Sequence, residues 1–231
     1  MTKSLLCVLS GAGISAESGI QTFRDADGLW ENHRIEDVAT PEGWAANPHL
    51  VLDFYNQRRS QLLSCKPNAA HIALADLEKT MDVVIVTQNV DDLHERAGSS
   101  QVIHLHGELR KVRSTKNENL IYSWDKDLRP GDLCDEGSQL RPHIVWFGEQ
   151  VPALELAIPF FRKADYIAII GTSLVVYPAA GLIHYSRSEV PKFYVDPHPD
   201  IIPSLPGLTI LSEKASDGVP KMIQQIQSLK L

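Results

Sequence analysis

Cysteine is scarce: Cys7, Cys65 and Cys134 are the only three in 231 residues, and no two are spaced C-x-x-C. Neither a disulfide framework nor a complete thiolate zinc site can be drawn from them, and they suit a reducing compartment. Long apolar runs are also missing. No stretch approaches the ~20 residues of a membrane-spanning helix, and Ser4 to Leu9 is too short for a secretory apolar core, so a cytoplasmic protein with no membrane partner is expected. There is no basic excess, since 22 Lys plus Arg against 29 Asp plus Glu give a net charge of −7. That balance excludes nucleic acid binding by bulk electrostatics. With 43% hydrophobic and 22% charged residues and no internal repeat, what remains is an ordinary globular chain able to bury a sizeable core.

Short apolar runs recur at Leu5 to Leu9, Val83 to Val86, Tyr166 to Ile170, Phe193 to Val195 and Thr209 to Leu211. Runs of this length, separated by helical patterns, read as buried parallel strands. The helical stretches are Ala69 to Lys79, Ala153 to Arg162, Ala179 to Ser186 and Val219 to Leu229. The expected fold is α/β, a Rossmann-like doubly wound parallel sheet. Two stretches interrupt it: Ile35 to Ser64, helix-like and aromatic, and Arg110 to Leu140, polar and strand-poor. Structureless loops of ~30 residues are rare in compact domains. Both are therefore read as a small inserted lobe, residues 35–64 and 110–140, in a single domain whose core spans about 1–34, 65–109 and 141–231. A ligand cleft would lie between lobe and sheet.

Directly after the first strand comes Gly11-Ala12-Gly13-Ile14-Ser15-Ala16-Glu17-Ser18-Gly19. A G-x-G here lets backbone approach a pyrophosphate, and a following helix N-terminus would add donors. Ala16 holds the sixth place of the usual G-x-G-x-x-G, and the fragment alone fits a tight turn equally well. It continues into Gly19-Ile20-Gln21-Thr22-Phe23-Arg24. Thr87-Gln88-Asn89-Val90-Asp91-Asp92-Leu93-His94, His104-Leu105-His106-Gly107-Glu108, Pro142-His143-Ile144-Val145-Trp146-Phe147-Gly148-Glu149 and Gly171-Thr172-Ser173 follow.

Together these motifs resemble the sirtuins, the NAD-dependent protein lysine deacylases, over nearly the whole chain from Leu5 to about Ile226. The resemblance implies NAD as a consumed cosubstrate and acylated lysine side chains of proteins as partners. It places Gly11, Ala12, Gly13, Ile14, Ser15, Glu17, Phe23, Arg24 and Trp30 on the cofactor. Gln88, Asn89 and Asp91, at the carboxyl end of a strand where open α/β sheets bind ligands, would hold the nicotinamide ribose and carboxamide. Gly171, Thr172 and Ser173 would meet the adenosine ribose and phosphate, Asp196 a ribose diol, and Ala215 the adenine. Many sirtuins carry Asn where Asp196 stands. The candidate catalytic residues are His106, Asn89 and Asp91, with His106 the general base because it matches the family's H-G pair; a neutral imidazole can accept a hydroxyl proton at physiological pH. Val145, Trp146, Phe147 and Gly148 would bind the acyl-lysine peptide as an added strand, their apolar side chains lining the acyl tunnel.

Tyr55 and Arg58 lie three apart, on one helix face. Read alone they are a core-edge tyrosine and a solvated arginine. Within the sirtuin resemblance the pair looks like the class III desuccinylase and demalonylase type, which removes succinyl, malonyl and glutaryl groups, with acetyl a secondary substrate. A dicarboxylic acyl group brings a carboxylate into an apolar tunnel, and a guanidinium fork with a phenol donor offsets its desolvation. Ala39 matches a small residue by which that class widens the acyl pocket. Arg59, about 100° around the helix, should point elsewhere.

By the same resemblance the acyl oxygen attacks C1′ of the nicotinamide ribose, nicotinamide leaves, and the 2′-hydroxyl deprotonated through His106 attacks the alkylimidate. Hydrolysis then yields lysine and an O-acyl-ADP-ribose. Two rivals share the pocket: an ADP-ribosyltransferase and a noncatalytic NAD sensor. Most sirtuins hold a structural zinc in the small lobe with four cysteines. Here Ser114 and Cys134-Asp135-Glu136-Gly137 stand in those places, and Cys134 with His143 and Asp135 makes a poor cage. No zinc is expected, and Leu120, Tyr122, Trp124 and Leu133 should pack the lobe instead. A monomer is the favoured state.

Overall fold

The structure, a computed structural model, describes residues 3–21, 29–30, 33–199 and 204–229. The chain opens with β1 (Leu5–Ser10), two 3-10 turns at Ala12–Ile14 and Ala16–Ser18, β2 (Leu29–Trp30) and β3 (His33–Arg34). Helices α1 (Ile35–Val38), α2 (Pro41–Ala46), α3 (Pro48–Ser64) and α4 (Ala69–Leu77) precede β4 (Asp82–Thr87), α5 (Leu93–Ala97) and β5 (Val102–His104). Next come β6 (Gly107–Ser114), β7 (Ile121–Ser123), β8 (Leu140–Ile144), α6 (Leu154–Lys163) and β9 (Tyr166–Ile170). A 3-10 helix (Ala179–Tyr185), β10 (Lys192–Val195), β11 (Leu208–Leu211) and α7 (Ala215–Ser228) complete it. Among the described residues no helix is long and apolar enough to cross a membrane.

Six strands pair in the order β11-β10-β9-β1-β4-β5, every pair parallel. Alternate side chains of a strand face opposite ways, so the apolar run of β1 feeds two layers. Leu6 and Val8 pack with Leu74 of α4 and Met222 and Ile226 of α7. Cys7 and Leu9 pack on the other side with Ala157 and Phe161 of α6 and with Leu182. This is the expected doubly wound sheet. The Ala179 stretch differs from expectation in being a 3-10 helix.

A second sheet, antiparallel and ordered β7-β6-β8, draws strands from both ends and the middle of the stretch expected to be strand-poor. Its strands escaped the apolar pattern because β7 is three residues long and largely exposed, and because the register of β6 shifts between Gly107 and Val112. Beneath it Val112, Leu128, Cys134 and Leu140 bury against Leu52 of α3, with Leu120, Tyr122 and Trp124 alongside. Leu133 does not join them, being 54% exposed. Arg59 of α3 reaches in from the other side, donating to the carbonyls of Leu109 (3.0 Å) and Lys126 (3.3 Å) and to Asn56 Oδ1 (2.8 Å). It points away from its neighbour Arg58, as the helical angle requires.

At the far end of the main sheet Lys192 is 2% exposed. Its ammonium donates to the carbonyls of Arg187 (3.0 Å), Ser188 (3.1 Å), Val190 (2.9 Å) and Pro206 (3.4 Å), binding two loops together.

The chain runs outward from β1 through β4 to β5 and then restarts from β9 in the other direction, which puts the switch point between β1 and β9. Two loops cross there in contact. Gly11 N–H donates to the Ile170 carbonyl (3.0 Å) and Gly13 N–H to the Gly171 carbonyl (2.8 Å). A Cβ on Gly13 would lie 2.7 Å from Gly171 Cα, and one on Gly171, where φ is +61°, would lie 2.3 Å from the Ile14 nitrogen. Gly171→Ala should therefore cost at least about 2 kcal/mol, from left-handed strain and displaced backbone together. Urea denaturation checks it, and an unchanged midpoint would mean that the crossing relaxes.

Candidate active site

The site grows from that crossing. After Gly11 the chain makes two 3-10 turns, Ala12–Ile14 and Ala16–Ser18, in place of the expected helix, so no α-helix dipole stands behind the loop. The turns bury Ser15, whose hydroxyl is a hub. It donates to Asp91 Oδ2 (3.0 Å) and accepts from Asn89 Nδ2 (3.1 Å). His71 Nε2 lies 3.4 Å away; because Ser15 gives its single proton to Asp91, the imidazole is the donor. Asp91 Oδ1 accepts the Leu93 N–H (3.1 Å). Burial raises the Asp91 pKa, against the pull of these donors, and it lowers that of His71 to about 4. Asn68, which caps α4, ties helix to loop by donating to the Ile14 carbonyl (2.7 Å) and Ser18 Oγ (3.1 Å).

Gln88 turns across the switch point to donate to Thr172 Oγ1 (2.9 Å), and the Tyr194 hydroxyl holds the Thr172 carbonyl (3.0 Å). His106 Nδ1 lies 3.0 Å from the Gln88 carbonyl. A carbonyl only accepts, so Nδ1 carries the proton and Nε2 keeps its lone pair. Burial lowers the His106 pKa, which the Gln88 carbonyl partly offsets, so the ring is neutral at physiological pH. Gly107 is required beside it: φ is +82° and a Cβ would fall 2.0 Å from the His143 carbonyl.

Past β8, the Val145 N–H donates to the His106 carbonyl and the Phe147 N–H to the Ala39 carbonyl, both at 2.9 Å. Between them the Trp146 N–H donates to Glu149 Oε2 (2.8 Å). The Glu149 carboxylate takes two bonds from Arg141 (2.7 and 3.1 Å) and two from Arg113 (3.2 and 3.3 Å). The Arg141 guanidinium lies 3.3 Å from the centroid of Trp146. Buried Trp146 then donates through Nε1 to the Tyr55 hydroxyl oxygen (3.0 Å). Arg58, one turn along α3, places its guanidinium 5.2 Å from the centroid of Phe54, and Trp30 meets Phe54 and Tyr55 edge-on at 5.0 and 6.2 Å. Ala39 is buried in the same cluster as Tyr55 and Trp146. Phe147 is 47% exposed and does not share the inward packing of Trp146.

The outer residues are also placed. Glu17 accepts from Ser216 N (3.0 Å) and Oγ (2.7 Å) at the start of α7, next to buried Ala215. Asp196 is buried, and its Oδ1 accepts the His198 N–H (2.9 Å). Ser173 is half-buried beside Thr172. Phe23 and Arg24 lie outside the described residues. Among the described residues no group of three or more His, Cys, Asp or Glu could hold a metal. Sequence reading missed His71, Arg113, Arg141 and the bracing role of Glu149. The only signal for His71 was an Asn68-x-x-His71 capping pattern on an apolar helix; the arginines gave none.

The Sir2 family profile matches residues 11–178. The chain belongs to the Sir2 family. A protein from Helicobacter pylori named NAD-dependent protein deacylase is 57% identical over 95% of this chain and 97% of its own length. One of the same name from Bacteroides thetaiotaomicron is 52% identical over 95% of this chain and 96% of its own. Among solved structures, a Sir2 homolog–NAD complex superimposes with a TM-score of 0.86 at 39% identity, covering 98% of this chain and 91% of that one. Within this Sir2 chain, proton NMR titration should find His106 with a midpoint below 6.5 and His71 near about 4. A His106 midpoint above 7 would contradict the burial that lowers it.

Proposed function

We propose that this chain is an NAD-dependent protein lysine deacylase that prefers succinyl, malonyl and glutaryl groups and accepts acetyl. The observation that carries the deacylase reading is the His106 ring, its proton fixed toward Gln88 and its Nε2 lone pair available, beside the Ser15, Asn89 and Asp91 network. The glycine crossing suits a dinucleotide: with no side chains at Gly11 and Gly13 the loop after β1 packs directly on Gly171 and Thr172, a glycine-rich strand-to-loop turn of the kind that binds a pyrophosphate. Gly11 to Ser15 and Thr172 would hold its phosphates, and Asn89 and Asp91 its nicotinamide end. Bound NAD supplies an electrophilic ribose carbon with nicotinamide as its leaving group. The chain's part is to orient that ribose and to take a hydroxyl proton at His106 Nε2.

Preference for an acidic acyl group is supported by Trp146. Because its indole donates to the Tyr55 oxygen, the phenol proton is left to donate elsewhere, one helical turn from the guanidinium of Arg58. The experiment is peptide mass spectrometry with NAD and succinyl-, malonyl- or acetyl-lysine substrates. His106→Ala should lower turnover on all of them by about 10² to 10⁴ while NAD still binds. Arg58→Met should remove most activity on the acidic substrates and spare acetyl-lysine, because a carboxylate deprived of its partner in a buried site loses about 3 to 5 kcal/mol. Equal losses on both kinds would refute the acyl preference. A gain in protein mass without deacylation would instead indicate ADP-ribosyl transfer, and no turnover at all a sensor.

The lobe of residues 35–64 and 110–140 is proposed to fold without zinc. In place of a thiolate cage, Cys134 Sγ lies 3.4 Å from Ser114 Oγ and accepts the Ser138 N–H at 3.4 Å, above the Val112 and Leu140 core. Chelator should leave the melting temperature unchanged. One equivalent of zinc in the dialysed protein, lost together with stability, would overturn this.

A further inference from the structure

His104 enters none of the roles assigned above, although it stands two residues before His106 at the end of β5. Its side chain is 8% exposed. Nδ1 lies 3.1 Å from the Asn89 carbonyl and Nε2 lies 2.7 Å from Glu95 Oε1. A carbonyl and a carboxylate both only accept, so both ring nitrogens must donate, and a ring that donates twice is an imidazolium. His104 and His106 thus grip the carbonyls of consecutive residues, Asn89 and Gln88. Those carbonyls belong to the peptide groups on either side of Asn89, which aim its side chain at Ser15 and start the turn toward Asp91.

We propose that His104 is a positioning residue of this site, an imidazolium strut between the Glu95 carboxylate and the Asn89 carbonyl whose loss of a proton releases Asn89. The inference rests on reading the cleft as the NAD site of a deacylase. The charged groups facing the ring have been weighed. Burial opposes its charge, but Glu95 on α5 and Glu108 on β6 outweigh burial and raise its pKa. Asp91, beyond Asn89, also feels the positive ring. Buried His94 on α5 is held neutral by desolvation. Lys111 acts mainly on the carboxylates, pairing with Glu108 at 2.6 Å. A group whose pKa is raised keeps its charge below that pKa and loses it as pH rises through it. The proton that stays then remains on Nε2, toward the stronger carboxylate acceptor, and the Nδ1 lone pair turns repulsive toward the Asn89 oxygen. Function should therefore fail on the alkaline side.

Nitrogen-15 NMR of histidine-labelled protein tests the charge without any turnover. Both His104 nitrogens should be protonated at pH 7, and a neutral ring there overturns the proposal while leaving the deacylase reading intact. Kinetics test the consequence. Glu95→Gln, at a partly exposed helix position, should move the alkaline limb of kcat/KM for NAD down by about one pH unit. His104→Gln should lower kcat/KM for NAD about tenfold at pH 7.5 and lose the limb it shares with Glu95→Gln. An alkaline limb unmoved in both variants overturns the strut. Absence of NAD turnover in the wild type, with an imidazolium seen by NMR, would refute the proposed function and not the protonation state.

Discussion

Everything in the cleft depends on two backbones touching. Where the loop after β1 crosses the loop after β9, Gly13 and Gly171 meet with no room for a side chain on either. That contact closes the distance between the two halves of a doubly wound sheet. It brings Gln88, from the β4 side, within reach of Thr172, from the β9 side. It also turns Ser15 inward, where one hydroxyl can serve Asp91, Asn89 and His71 at once. A loosely packed switch point would leave these polar groups in water, where such bonds contribute little.

The other wall is organised by charge. Glu149 is one carboxylate between two arginines, and it spends a lone pair on the Trp146 N–H. Buried ion clusters of this kind seldom add net stability, and their cost is tolerated where they fix geometry. The geometry fixed here is the Val145 to Glu149 segment, with Trp146 held between Arg141 and the Tyr55 hydroxyl. That segment is held in place by side chains from β6, β8 and α3.

Sequence alone made the parallel sheet legible because its strands are buried on both faces and so written in uninterrupted apolar residues, from Leu6 to Leu9 and from Tyr166 to Ile170. The antiparallel sheet was illegible because Arg110, Lys111 and Arg113 of β6 are polar, and because what β6 covers comes from α3, far away in the chain. The turns after Gly11 read as helix since an N-terminal signature does not separate one turn of 3-10 from three of α. Of the side chains the cleft brings together, Ser15, Gln88, Asn89, Asp91 and His106 lie in motifs legible in the sequence. His71, Arg113 and Arg141 were not, since their roles arise from what they touch across the fold.

Lys192 carries a consequence of a different kind. A lysine is acylated only when an unprotonated amine can reach an activated acyl donor, and this one is buried with its three N–H donors shared among four carbonyls. The backbone around it works as a cation cage, the arrangement by which proteins hold a dehydrated metal ion, with an ammonium in the metal's place. In a chain whose relatives are named for removing acyl groups from proteins, this lysine is exempt by construction from carrying one.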